Sequence, residues 1–464
     1  MAFMNDDFLL QGETARALYH GHAEDAPICD YHCHIHPRSI AEDRHFTDIA
    51  ELWLSRDHYK WTAMRYFGIE EEFITGGASP YDKFFAYSRM LEAAIGNPLY
   101  HWSHLELWKY FGYDGILNEK TAPDVWRLCN ERLRNGLSAC RILEQSRVEL
   151  LCTTDDPVDD LRWHAAIAAQ PSSRTRVIPA WRPDRILDAS RIGFAGYVAR
   201  LGETTDMPIA NWADLLDALD RRMAFFHDGG CRLSDHALAT VPFAPASDAT
   251  VDGHLRAALA GKPLAPRQLA EYQTAMLLAL GERYRARNWA MQLHLGVLRD
   301  TSSRLFAAIG PDAGGDVVGR SVDVLALTRL LDTIDRGPGL PKTILYSINP
   351  ADNATIGSVV GAFQGEGIPG RLQHGAAWWF NDTRSGIEAH LTELANLGVL
   401  GRFIGMLTDS SSLLSFGRHD YFRRVLCNLL GGWVDRGEYP NDAEALGRIV
   451  RDICHGNAIR YFEF

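Results

Sequence analysis

Eight short apolar runs recur along this chain, each followed at once by polar residues able to do chemistry, with helical patterns between them. The first is Ile28–Ile35. Val148–Thr153 then leads into Thr154-Asp155-Asp156-Pro157, and Arg176–Ala180 into Trp181-Arg182-Pro183-Asp184. Gly230–Leu233 precedes Ser234-Asp235-His236, Ala290–Leu293 precedes His294, and Thr343–Ser347 precedes Asn349-Pro350. Gly370–Gln373 runs towards Trp378-Trp379, and Phe403–Leu407 into Thr408-Asp409-Ser410. Between them, Leu215, Leu216, Leu219 and Met223 share one helix face, as do Val324, Leu327, Leu331 and Ile334, and Arg267–Arg285 reads as a long helix. Strands alternating with helices imply a parallel sheet. Eight such units point to an α/β fold of the (β/α)8 barrel type, whose active site lies at the C-terminal ends of the strands. The competing arrangement, a doubly wound open sheet, usually carries a Gly-rich phosphate turn after its first strand. Here that place is taken by Asp30-Tyr31-His32-Cys33-His34.

On a strand, residues i and i+2 face the same way, so His32 and His34 present two imidazoles that one metal ion can bind together. In a barrel, His32, His34, Asp235, His294 and Asp409 converge on one mouth, and Asp409 is the candidate third ligand. Its competing role is a helix N-cap, since Thr408-Asp409-Ser410 is cap-like. Asp235 and His236 are either catalytic or a hydrogen-bonded loop pair. Arg182 is a candidate carboxylate clamp or one half of a structural ion pair. Trp378 and Trp379 either floor a pocket or fill the core.

The region 40–145 differs in texture, being rich in Trp, Tyr, Phe and charged residues with helical spacing and little β-branched material. It reads as a helical insertion, dividing the chain into 1–39 (a short amphipathic helix over Asp6 to His22, then strand 1), 40–145 (the insertion, with helices at Tyr81–Ile95 and Ala122–Leu133) and 146–464 (the rest of the barrel). Within it, Asp57-His58-Tyr59-Lys60-Trp61 taken alone fits a solvated helix face with packed aromatics. Val241 to Leu264, rich in Ala and Pro, reads as a surface excursion.

Lys and Arg number 47 against 59 Asp and Glu, a net charge of −12. That field excludes a general nucleic-acid or anionic-membrane surface, so a site for an anion must supply its own cations. The eight Cys show no Cys-x-x-Cys spacing and read as free thiols of a reducing compartment. Met1 to Leu10 has no secretory signature, and no apolar run approaches the ~20 residues of a membrane span. A cytoplasmic protein is the expectation.

An ordered set of segments along nearly the whole chain resembles the uronate isomerase family of the amidohydrolase superfamily. The set comprises Asp30–His34, Ile40-Ala41-Glu42-Asp43, Asp57–Trp61, Ile95-Gly96-Asn97-Pro98-Leu99-Tyr100-His101-Trp102 and Thr153–Pro157. It continues with Trp181–Asp184, Ser234–His236, Gly310-Pro311-Asp312, Trp378-Trp379-Phe380-Asn381-Asp382, Met406–Ser410 and Arg418-His419-Asp420-Tyr421-Phe422. The resemblance implies a distorted (β/α)8 barrel of the metal-dependent hydrolase type, a homo-oligomer, and one divalent metal, usually zinc, with no organic cofactor. The activity it implies is aldose–ketose isomerisation, D-glucuronate to D-fructuronate and D-galacturonate to D-tagaturonate. It assigns His32, His34 and Asp409 to the metal, places His58 and Tyr59 in the site against the bland reading of that cluster, and favours roles for Arg182, Asp235 and His294. The chain departs from the family's Thr-Asp-Ser-Arg-Ser pattern at Ser411, where an Arg is expected. Arg418, Arg299 and Arg304 are the candidates to replace its charge. A metal-dependent hydrolase is the alternative enzyme, and a non-catalytic sugar-acid binder is the third reading, motivated by Ser411.

Overall fold

A computed structural model describes residues 2–170 and 174–464. Seven parallel barrel strands appear in chain order: β1 (Ile28–Asp30), β2 (Val148–Cys152), β3 (Arg176–Ile178), β4 (Leu233–Leu238), β5 (Ala290–Leu295), β6 (Lys342–Ser347) and β7 (Leu372–His374). β1, β2 and β3 pair in that order, as do β4, β5, β6 and β7. The two sets are joined through Trp181, which bridges Asp155 on one side and Ser234 on the other. Trp181 is fully buried, so its side chain anchors the seam its backbone makes.

The expected eighth strand over Phe403–Leu407 does not form a ladder among the described residues. The chain there still runs beside β1: Asp409 N–H donates to His32 O at 3.1 Å, and His34 N–H donates to Ser410 O at 3.0 Å. The regular parallel pattern is broken because Asp409 is left-handed, with φ 45°, which slips the pairing by one residue. The buried Asp30 carboxylate substitutes for a backbone partner, accepting from the Thr408 N–H (3.1 Å) and hydroxyl (2.6 Å). Side chains as well as backbone therefore join the last barrel segment to the end of β1.

Two strands extend further than their apolar runs. β4 includes Asp235 and His236, and β5 includes His294, because partners on both sides satisfy their backbone whatever the side chain. Between β1 and β2 the chain is helical, with Ile49–Leu54, His58–Tyr66, Pro80–Ala93, Pro98–Phe111 and Ala122–Arg134 the main elements. Their apolar faces share one buried cluster with β1–β3 and the helix Gly417–Asp435. A second cluster gathers the helices Phe194–Thr205, Trp212–Asp228, Pro266–Ala286 and Val324–Arg336 around the other half of the sheet. The Val241–Leu264 stretch holds a helix, Asp248–Leu259, with Val251 and Leu255 fully buried. It is part of the second cluster, not an excursion, since apolar spacing on its inner face outweighs its Ala- and Pro-rich flanks. Among the described residues no helix is long and apolar enough to cross a membrane, and all eight cysteines are unpaired.

Candidate metal centre and active site

A cavity of about 1020 Å³ opens at the C-terminal ends of the strands. Its centre is Asp409. One carboxylate oxygen, Oδ1, lies 3.0 Å from His32 Nε2 and 2.9 Å from His34 Nε2. The other, Oδ2, accepts from the Trp378 indole N–H at 2.6 Å. His34 is oriented from behind by Thr154 Oγ1, 2.9 Å from its Nδ1. Burial pushes the Asp409 carboxyl up, but the hydrogen bonds from His32 and His34 outweigh it and hold the group well below the usual carboxylate range. Two imidazole nitrogens and a carboxylate oxygen converging from the first and last barrel segments form a donor set suited to a divalent metal, and this His/Asp cluster can hold one. Asp409 caps no helix here; the segment after it is the short 3-10 turn Leu413–Phe416. Its left-handed backbone, a conformation rare outside glycine, is what turns the carboxylate towards both histidines.

Asp235 and His294 form a second layer against the first. Asp235 is fully buried and accepts from His294 Nδ1 at 2.7 Å, faces His32 Nδ1 at 4.0 Å and pairs with Arg182 Nη1 at 3.2 Å. Burial raises the Asp235 carboxyl; Arg182, His32 and His294 more than reverse this, leaving it ionised. His294 donates through Nδ1, so its buried Nε2, which has no protein partner among the described residues, is an acceptor. Burial also lowers His294 against the pull of Asp235, which keeps the ring neutral. His32, Asp235 and His294 are themselves close enough to suit a cation, but Arg182 already supplies positive charge at that point. His236, next along β4, faces the other way and bonds the Tyr284 hydroxyl at 3.1 Å. It is a core histidine, pushed down to about 4 by burial.

The Asp57–Trp61 segment splits by function. Asp57 caps the helix His58–Tyr66, accepting from Lys60 N–H, and pairs with the buried Lys60 ammonium at 2.5 Å. These two are structural, and they fix the first turn that carries His58 and Tyr59 into the cavity. His58 lies 4.6 Å from the Trp379 ring and stacks on Tyr59 at 5.1 Å, between ring centroids. Burial lowers His58 below its ordinary value. Tyr59 donates to Asp382 Oδ2 at 3.0 Å, and Arg418 lies 3.6 Å from the same oxygen and over the Trp102 ring at 4.1 Å. Burial lifts the Tyr59 phenol well up, with Asp382 adding to it. Burial also pushes the Asp382 carboxyl up, to about 6, against Arg418 and Tyr59. Trp378 and Trp379 are both buried and both line the cavity, so the pocket-floor and core readings hold together.

Of the candidate cationic residues, Arg182 and Arg418 line the cavity and Arg304 does not. Arg304 is exposed on the helix Ser303–Ile309, because it falls on the solvent side of a short surface helix. No motif singles out Tyr346 or Arg56, while Thr154 and Asp382 stand only as parts of longer segments. Tyr346 stacks flat on His294 at 4.2 Å, and Gly375 makes room for it, since a Cβ there would meet the Tyr346 ring at 2.0 Å. Thr154 orients His34, Asp382 holds Tyr59, and Arg56 lines the cavity. Asp382 lies in a segment that carried the family resemblance, which was the one available pointer to it.

Comparison with known proteins identifies the family and the fold. The glucuronate isomerase family model matches residues 1–462. The chain is 48% identical over 463 residues to the uronate isomerase of Endomicrobium trichonymphae, covering 100% of this chain and 99% of that one. It is 49% identical over 464 residues to the uronate isomerase of Photorhabdus laumondii, covering 99% and 98%. The crystal structure of uronate isomerase from Thermotoga maritima superposes with a TM-score of 0.94 at 33% identity, each chain covered in full. The fold is also that of glucuronate isomerase from Caulobacter crescentus, with a TM-score of 0.91 at 23% identity, covering 99% of this chain and 97% of that one. With its histidine–aspartate centre at the mouth of a parallel barrel and a match that runs from end to end, this chain belongs to the glucuronate isomerase family and is an isomerase.

Proposed function

We propose that this enzyme interconverts aldose uronates and their ketoses, D-glucuronate with D-fructuronate and D-galacturonate with D-tagaturonate. The observation that carries the reading is the polarised Asp409 carboxylate, bonded by His32, His34 and Trp378, in one cavity with the Tyr59 hydroxyl. The reaction moves a proton from carbon 2 to carbon 1 and another from O2 to O1, through an enediol. It needs a base, an acid and a stabiliser of charge on oxygen. Asp409 takes the carbon 2 proton and returns it to carbon 1. Tyr59 gives its proton to O1 as the enediol forms and recovers one from O2, with Asp382 holding the phenol in line. His294 accepts a sugar hydroxyl through Nε2, which the Asp235 contact fixes as the free lone pair. Arg182 donates to substrate oxygens, His58 orients, and Trp378 and Trp379 wall the sugar. Arg418 keeps charge beside Tyr59 and Asp382. His32, His34 and Asp409 would hold a divalent metal, zinc by donor type, which supplies positive charge next to the substrate oxygens when bound.

A hydrolase of similar build is disfavoured by the end-to-end family match. We also propose, from the resemblance, a cytoplasmic homo-oligomer built as a barrel with the 40–145 insertion; its free thiols suit a reducing compartment. Incubating the metal-loaded protein with D-glucuronate and with D-galacturonate, and following ketose, tests the activity. Ketose from at least one supports it. No ketose from either, or ammonia or a split amide from another substrate, refutes it.

A further inference from the structure

The substrate carries a carboxylate, and Ser411, which lines the cavity, offers no charge to meet it. Most arginines around the cavity are already neutralised. Arg182 is held by Asp235 and Asp184, Arg418 by Asp382, and Arg299 by Asp316 at 2.9 Å. At the outer wall, Arg38 is paired with Glu42 at 2.8 Å and Arg44 with Glu51 at 2.5 Å. Arg56 is the exception. It lines the same cavity, is exposed, and has no hydrogen bond or ion pair among the described residues. The fold also brings it to the serine segment. The Ser412 hydroxyl donates to Leu52 O at 3.5 Å, which seats residues 410–412 against the end of the helix Ile49–Leu54, and Arg56 follows that helix by two residues.

Resting on the uronate reading above, we infer that Arg56 is the residue that binds the sugar-acid carboxylate, reaching from the 55–57 turn over Ser411. A free guanidinium on a short turn can meet a carboxylate through two parallel N–H bonds. An arginine already bridged to an aspartate has fewer donors to give and less net charge to attract an anion. Specificity for an acid over a neutral sugar then resides in the helical segment between β1 and β2 and not in the loop after Asp409.

The test uses two probes that cannot isomerise: the alditol acid made by reducing D-glucuronate at carbon 1, and its neutral carboxamide. Their binding to the wild-type protein and to Arg56→Ala is measured by calorimetry, alongside steady-state kinetics. The acid is expected to bind the variant about tenfold more weakly or worse, while the carboxamide binds both proteins alike. KM for the uronate rises and kcat stays within about threefold, because the lost contact is made equally in ground and transition states. Equal affinity of the acid for both proteins overturns the inference, as does an equal loss for acid and carboxamide. The binding arm reads Arg56 without turnover, so failure of wild-type ketose formation counts against the function and leaves this result readable.

Discussion

Replacing Asp235 by Asn removes one charge from the most enclosed part of the site while keeping its shape. Asp235 is fully buried, 2.7 Å from His294 Nδ1, 3.2 Å from Arg182 Nη1 and 4.0 Å from His32 Nδ1. An amide can still accept from His294 through its oxygen, but its NH2 then faces the Arg182 donors. Breaking a buried ion pair by removing one partner costs about 3–5 kcal/mol, because the other charge is left uncompensated. Arg182 keeps Asp184 at 2.9 Å, so the cost belongs at the low end, about 3 kcal/mol. Urea unfolding followed by tryptophan fluorescence reads this loss. Arg182→Gln combined with Asp235→Asn removes the stranded charge as well. The double variant is therefore expected to be more stable than the sum of the two singles by about 2 kcal/mol. Activity does not recover with it, since His294 has lost its orienting charge; kcat/KM is expected to fall by about 10–100-fold, as when partners of site histidines are removed. A single-variant loss below about 1 kcal/mol, or strict additivity in the double variant, refutes the buried-pair argument.

Tyr59→Phe keeps the ring stack with His58 and removes only the hydroxyl held by Asp382. Turnover is expected to drop by about 10²–10⁴ with little change in KM, and unchanged turnover removes Tyr59 from the proton path. Treatment with a strong chelator is expected to abolish activity, with divalent zinc restoring it. His34→Asn should lower bound metal, measured by elemental analysis, while leaving the circular dichroism spectrum intact; undiminished metal content would contradict the assigned donor set. His164 is buried, 2.7 Å from Thr153 Oγ1, and burial pushes it down to about 4. The native state thus binds fewer protons than the unfolded chain between its ordinary value and about 4. Stability from this group is present above the unfolded value and is lost as the pH falls through that window, up to about 3 kcal/mol in all. In His164→Gln the urea midpoint should vary less between pH 6.5 and 4; an identical slope would show that His164 does not titrate there.

Much of the protein's arrangement follows from alternation alone. Apolar runs followed by polar residues, with helical faces between them, are sufficient for a parallel barrel because each run must be covered on both sides. His32 and His34 are legible as a pair two residues apart, although the expected strand over Ile28–Ile35 ends at Asp30 and both histidines lie in the irregular segment just beyond it. Asp409 is legible because it follows the last run, although the structure shows that run to be extended chain closed by Asp30 and not a laddered strand. Ends of elements are less legible. Asp235, His236 and His294 look like loop residues by polarity, and neighbouring strands hold all three within the sheet.

What the sequence by itself determined is thus the order of elements, the histidine pair and the acid that meets it. The tertiary structure alone decided how neighbouring residues divide their work: Asp57 and Lys60 to the helix start, His58 and Tyr59 to the cavity. It also recruited Asp382 to Tyr59 across 323 residues, stacked Tyr346 on His294, excluded Arg304 from the cavity and placed Arg56, unpaired among the described residues, on the same cavity as Ser411. The physical reason is that periodicity records which face of an element is apolar, whereas hydrogen bonds and ion pairs depend on distances of a few ångströms between segments hundreds of residues apart. Those distances exist only after the barrel has closed.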